Sequence, residues 1–261
     1  TADALIAACV SGDARSAARI LRRDGSLVNC TDSDGRSPLF SASFCGHESV
    51  VRLLLKNGAT IDSADSEGWT PLWIACSEDQ DATVRLLLEK GASVNHADNE
   101  GVTPLSMACQ EGKVSTARLL LGKGATADLA EKKGFTPLFI ACQNGHESIA
   151  RFLLDNGASV NHVNTRGGTP LFDPCAAGHD SSVRLLLDNG ASVNHAENKG
   201  HTPLQYACHF KQEAVARLLA RRGAVITKQI VDLAKEKGKR KLAKWLQSKL
   251  DHSSLHWACE N

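Results

Sequence analysis

The chain has 261 residues, 42% of them hydrophobic and 23% charged, with a net charge of +1. No apolar run approaches the roughly 20 residues that a membrane-crossing helix needs, and the stretch from Thr1 does not read as a signal peptide. A net charge so near zero says nothing about partners; its distribution along the chain does.

Thr/Ser-Pro-Leu recurs six times, beginning at Ser37, Thr70, Thr103, Thr136, Thr169 and Thr202, each 33 residues after the last. Glycine keeps the same step from Gly35 to Gly200 and from Gly58 to Gly223. So strict a period leaves no room for insertions, so each unit must stack directly on the next. In the unit 98–130, Thr103 is placed to cap a helix and Pro104 fits its first position, where no N–H is missed. That helix carries Leu105, Met107, Ala108 and Cys109. A second carries Ala117, Leu120 and Leu121 at the spacing of a buried stripe, and Gly124 ends it. The polar stretch Ser93–Gly101 reads as a hairpin-like turn.

Gly-x-Thr-Pro-Leu, Ala-Cys, Gly-His and Leu-Leu-x-x-Gly-Ala-Ser-Val-Asn resemble the ankyrin repeat over nearly the whole chain. The resemblance implies a mainly α fold, a solenoid of helix-turn-helix units joined by β-hairpin-like loops. Residues 1–33 read as an N-terminal unit one residue out of step, and 34–226 as six in-phase repeats, the last nearly complete. Residues 227–250 lack Thr-Pro-Leu but keep two apolar helical patterns, as in a degenerate closing unit with a charged outer face. Residues 251–261, Ser253-Ser254-Leu255-His256-Trp257-Ala258-Cys259 above all, resemble the opening of a further repeat, with a tail as the alternative.

Nine cysteines raise the question of disulfides, yet Cys76, Cys109, Cys142, Cys175 and Cys208 occupy one place in successive units. Packed helices lie on the order of 10 Å apart, beyond the roughly 7 Å Cα limit for a disulfide, so free buried thiols and a reducing compartment are expected, cytoplasmic with a nuclear alternative. His96, His162 and His195 share a turn position, and His47, His146 and His179 the Gly-His position, which repeat structure accounts for. With no nucleophile-base pair, phosphate-cradling loop, CxxC or His-Glu-x-x-His, neither catalysis, cofactor nor metal is expected.

Charge is uneven. Residues 211–249 hold twelve Lys and Arg against Glu213, Asp232 and Glu236, a net +9, while residues 1–210 carry −6. Lys235, Lys237, Lys239, Arg240, Lys241 and Lys244 make this end a basic pole, either a solvated cap or a site for an acidic partner segment or anionic surface. No nucleic-acid recognition module is visible. An arginine column, Arg19 to Arg217, has an acid four residues earlier in five of seven cases (Glu48, Asp81, Glu147, Asp180, Glu213), so it reads as neutralised by pairs within the helix.

In ankyrin proteins partners dock on the loop tips and the exposed ends of the first helices, and here those positions differ from unit to unit. Carried over, the tip candidates are Arg36, Trp69, Glu100, Lys132, Lys133, Phe135, Arg166, Lys199 and His201, and the first-helix candidates are Phe44, Glu78, Gln110, Glu111, Gln143, Asn144, His209 and Phe210. Where the family places a histidine after Thr-Pro-Leu this chain has Phe40, Trp73, Ser106, Phe139, Phe172 and Gln205. Those aromatics either stack between units or form an apolar stripe near Trp69 and Phe135, and Trp73 joins the candidates on the second reading. Asp173-Pro174 should kink or shorten one helix, leaving a notch or a local weakness. Asn95, Asn161 and Asn194 resemble ankyrin segments modified by asparaginyl hydroxylases; hydrogen bonding within the hairpin is the simpler reason for their presence. The expected function is non-enzymatic binding of another protein or peptide by a monomer. A spacer or targeting array within a larger protein and an adaptor for anionic surfaces are the alternatives.

Overall fold

The computed structural model describes residues 1–260 of the backbone and 1–251 of the side chains. It is helical, with sixteen α-helices and no strand among the described residues. The chain divides into two compact units, Thr1–Lys132 and Lys133–Asn261.

The first unit holds α1 (Ala2–Val10), α2 (Ala14–Arg23), α3 (Pro38–Phe44), α4 (Glu48–Lys56), α5 (Pro71–Ser77), α6 (Asp81–Glu89), α7 (Pro104–Gln110) and α8 (Val114–Gly122). The second holds α9 (Pro137–Gln143), α10 (Glu147–Asp155), α11 (Phe172–Ala177), α12 (Asp180–Asp188), α13 (Pro203–His209), α14 (Glu213–Arg221), α15 (Lys228–Glu236) and α16 (Arg240–Glu260). Within each unit the helices pair and the pairs stack, a solenoid of helix-turn-helix repeats.

The Thr-Pro-Leu triplet does three separate jobs. The hydroxyls of Ser37, Thr70 and Thr103 accept the N–H of the residue three positions on, at 3.1, 3.2 and 3.1 Å. Proline fills the first helical position without wasting a donor. Leucine goes into the core: Leu39, Leu72, Leu105 and Leu138 are at most 1% exposed, as are Leu54, Leu87, Leu120 and Leu153 of the second helices. A fully buried leucine contributes about 2–3 kcal/mol, so these two columns dominate the stability of every repeat. Between the paired helices the chain turns through a left-handed residue, glycine in most repeats but Asp79 (φ 61°) and Lys211 (φ 64°) in two.

The loops are hairpin-like without being strands. Each tip closes on itself, as in Asp98 N–H to the Val102 carbonyl at 3.1 Å and Asp65 N–H to that of Trp69 at 3.1 Å.

Pro174 shortens its helix. α11 has six residues and begins at Phe172, where the equivalent helices have seven and begin at the proline. Pro174 has no N–H to return to the Pro170 carbonyl, so the first turn opens and the Phe172 N–H bonds instead to the Thr169 carbonyl at 3.1 Å. The Thr169 hydroxyl is left buried with no partner. Residues 251–260, for which the sequence suggests a further repeat or a tail, continue α16; no glycine follows Gly238 to stop it.

Thr136→Val removes a helix cap that receives the Phe139 N–H and is expected to cost about 1 kcal/mol in urea unfolding. Thr169→Val removes a hydroxyl that satisfies nothing, and is expected to be neutral or stabilising. Equal losses would contradict this account of α11.

Candidate protein-binding surface

The tips are held by two sets of bonds in which backbone N–H groups are the main donors. The first lies within a tip. Asp32 Oδ1 accepts the N–H groups of Asp34 and Arg36, Asp65 those of Glu67 and Trp69, Asp98 those of Glu100 and Val102, and Asn164 those of Arg166 and Gly168, all at 2.8–3.0 Å. In the last tip Glu197 receives the His201 N–H and ring nitrogen; despite its burial, these bonds and the Lys199 N–H hold its carboxyl below the usual range. The second set joins a tip to the next. Ser66 N–H donates to the Asp34 carbonyl, Asn99 to Glu67 and Lys132 to Glu100 in the first unit, and Thr165 to Lys133 and Asn198 to Arg166 in the second, at 2.9–3.0 Å. The Asx column at 32, 65, 98 and 164, on the same 33-residue step and broken by Glu131, is the sequence signal for this frame.

A second ladder uses the asparagines. The Asn161 amide donates to the Gly190 carbonyl (3.0 Å) and accepts from Ser192 N–H (2.8 Å); Asn194 does the same with Gly223 and Val225, and Asn95 bridges to Thr126. These residues brace adjacent repeats. The Gly-His position does likewise, with His47 on the Val10 carbonyl at 2.9 Å and His179 on that of Gln143 at 3.2 Å.

Most candidates are exposed: Phe44, Glu78, Glu100, Gln110, Glu111, Lys132, Lys133, Gln143, Asn144, Arg166, Lys199, His201, His209 and Phe210. Trp73 is a correction. Only 4% exposed, it lies flat against Trp69, with ring centres 4.8 Å apart, and donates its indole N–H to the Val102 carbonyl at 3.0 Å. It stacks between repeats because the next tip roofs it, as the first of the two readings expects. Trp69 is half-buried by that stack and reaches Asp98 Oδ2 at 3.3 Å, so it is partly structural. Trp69, Trp73 and Lys132 belong to the first unit and Lys133 and Phe135 to the second, where Phe135 meets Phe139 edge-on and the Arg166 guanidinium at 5.9 Å. Lys132 pairs with Glu100 at 3.4 Å and Arg36 with Asp34 at 3.1 Å.

Two concave sites collect the remainder. In the first unit Arg36, Phe44 and Trp69 line a groove of about 430 Å³ with Val10, Phe40 and Ile74; Phe44 is 45% and Val10 51% exposed. In the second unit Lys199, His201, His209 and Phe210 line a pocket of about 660 Å³ with Tyr206, Asp232 and Glu236. Burial, with Glu197 and Asp173 nearby, pushes the Tyr206 hydroxyl pKa up. Asp173 is itself raised by burial, against the pull of Arg166.

The arginine column is partly corrected. Arg52–Glu48, Arg151–Glu147 and Arg217–Glu213 pair within their helices, but Asp81 is captured across the repeat by the Ser115 and Thr116 hydroxyls at 2.7 and 2.6 Å, leaving Arg85 without it. The Asp180–Arg184 pair also fails to close, which nothing in the structure explains. At the basic pole Lys235 pairs with Asp232 and Lys237 with Glu236, while Arg240, Lys241 and Lys244 form no ion pair among the described residues. Burial pushes the thiols of Cys9, Cys142 and Cys208 up to about 12 and raises those of Cys76 and Cys175 as well, which leaves them un-ionised and inert. No group of three or more His, Cys, Asp or Glu able to hold a metal occurs among the described residues, nor is any described helix long and apolar enough to cross a membrane.

Trp73→Ala is expected to cost about 3–5 kcal/mol in chemical denaturation, as for large buried aromatics. Phe44→Ser should change stability by less than about 1 kcal/mol. The reverse order would show that the burial assigned to these two rings is wrong.

No curated protein matches the chain. A family model described as ankyrin repeats matches in three copies, over residues 4–98, 94–164 and 160–230. Together these matches take in most of the sequence and the whole of the Thr-Pro-Leu array, and the chain belongs to the ankyrin-repeat family.

Proposed function

We propose that this protein is a non-enzymatic module that binds an extended segment of another protein, with the groove of the first unit as one anchoring point. Ankyrin repeats are in general protein–protein interaction modules, and the family is typically non-enzymatic. The observation that carries the reading is that Phe44 and Val10 stand half-exposed at a groove floored by buried Phe40 and Ile74 and edged by Arg36. An apolar side chain of a partner covers them there, and exposed aromatic anchors contribute a large share of binding energy. The variable tips around the groove select the partner without disturbing the leucine columns. Free buried thiols suit the reducing cytoplasm or nucleus as the site of action.

A second reading has its own observation. Lys235, Arg240 and Lys244 line a groove of about 590 Å³ on α15 and α16, and Arg240 and Lys244 form no ion pair among the described residues. They would take an acidic segment or an anionic surface.

Selection of displayed peptides on the immobilised protein separates the two. The first reading expects enriched peptides with an apolar anchor whose affinity falls tenfold or more, about 1.4 kcal/mol, on Phe44→Ser and is unchanged by replacing Lys239, Arg240 and Lys241 with Gln. Acidic peptides with the opposite pattern and a steep salt dependence would favour the second. A failure to enrich any peptide would count against both.

A further inference from the structure

The closing unit begins abruptly. Thr202 follows Gly190 by a step of twelve, as in the preceding repeats, but Thr227, which caps α15, follows Gly223 by a step of only four. The eight missing residues are those that would build the next tip. Two observations show what their absence leaves. At Gly35, Gly68, Gly101, Gly134 and Gly167 a methyl group would meet atoms of the following tip, whereas at Gly200 it would meet nothing within 4 Å. And the carbonyls of Asp34, Glu67, Glu100, Lys133 and Arg166 each receive an N–H from the following tip, whereas that of Lys199 receives none among the described residues. The ladder therefore ends on an open acceptor.

Below this open edge lies the pocket of about 660 Å³ between α13 and α15. One wall is aromatic. Tyr206, in the column of buried Ile74 and Met107, is only partly covered, with Phe210 6.2 Å away and His209 against Phe210 at 5.0 Å. Phe210 is 51% exposed, where the equivalent residues are Cys45, Glu78, Glu111, Asn144 and Ala177. The facing wall carries Asp232 and Glu236, one helical turn apart on α15.

We propose that an extended peptide occupies the place of the missing tip, giving one backbone N–H to the Lys199 carbonyl and placing an arginine side chain in the pocket. This rests on the peptide-binding reading above and names the partner's chemistry at a second point. A guanidinium suits the site because it is planar, stacks on aromatic faces and donates in a fork to carboxylates. Asp232 and Glu236 already touch Lys235 and Lys237 at 3.0 and 3.4 Å, each through one oxygen; both carboxylates are exposed, as is Lys235, while Lys237 is partly covered, and such surface pairs contribute little. Lys199 is the only Lys or Arg among the described residues of the lining. Of the +9 excess over residues 211–249, Lys235 and Lys237 compete with the guanidinium directly at the carboxylates, while charges farther than about 8 Å are screened by salt.

The test uses the peptide acetyl-Gly-Ser-Arg-Ser-Gly-amide and its citrulline analogue, which keeps the shape and loses the charge, titrated into the isotope-labelled protein and followed by amide NMR. Saturable shifts centred on Lys199, Tyr206 and Phe210 are expected. The citrulline peptide should bind at least tenfold more weakly, as should the arginine peptide to an Asp232→Asn/Glu236→Gln variant whose melting is unchanged. Phe44→Ser should leave the titration as it is. Equal binding of the two peptides, shifts centred elsewhere, or none up to about 10 mM would overturn the proposal. If library peptides then still required Phe44, the peptide-binding function would stand without this pocket.

Discussion

A backbone N–H of one tip bonds to a carbonyl of the tip before it, and this rung fixes the 33-residue register on which the surface depends. At the base of four tips an Asx side chain, Asp65 for example, turns two N–H groups inward, and the rung uses a carbonyl and an N–H of the tip that face outward. Three rungs stand in the first unit and two in the second. Each is worth only about 1 kcal/mol net, so the rungs place the tips and the leucine columns supply the stability.

That division of labour explains why the surface varies without disturbing the fold. Side chains at positions such as Arg36, Trp69 and Val102 hang from a frame whose bonds are made by backbone and by Asp32, Asp65 and Asp98. Where a repeat leaves the pattern, the change stays local. Pro174 opens one helical turn and strands one hydroxyl, while Leu171 and Cys175 beside it remain fully buried.

The helices, their caps and the inward columns were legible in the sequence because each is written once per repeat, so that one reading is checked six times. The pair Asp81–Arg85 was misread because spacing within a helix says nothing of hydroxyls arriving from the next repeat, such as Ser115 and Thr116. Trp73 was ambiguous for the same reason: its exposure is decided by the Val102 tip, 29 residues on. The pocket under Lys199 has a plain signal in the sequence, the four-residue step from Gly223 to Thr227 where the preceding repeats take twelve. Which side chains meet in a groove, as Val10 does Phe44, depends on packing across repeats and has no mark in a single column.

The register of the tips depends most on the rungs, and native-state hydrogen exchange reads them directly. The amides of Ser66, Asn99, Lys132, Thr165 and Asn198 lie in exposed polar loops, yet they should exchange at least a hundredfold more slowly than the same residues in an unstructured peptide, about 2.7 kcal/mol of protection. Exchange of these five at unprotected rates, with the helices still protected, would show that the tips are not fastened to one another and would contradict the account.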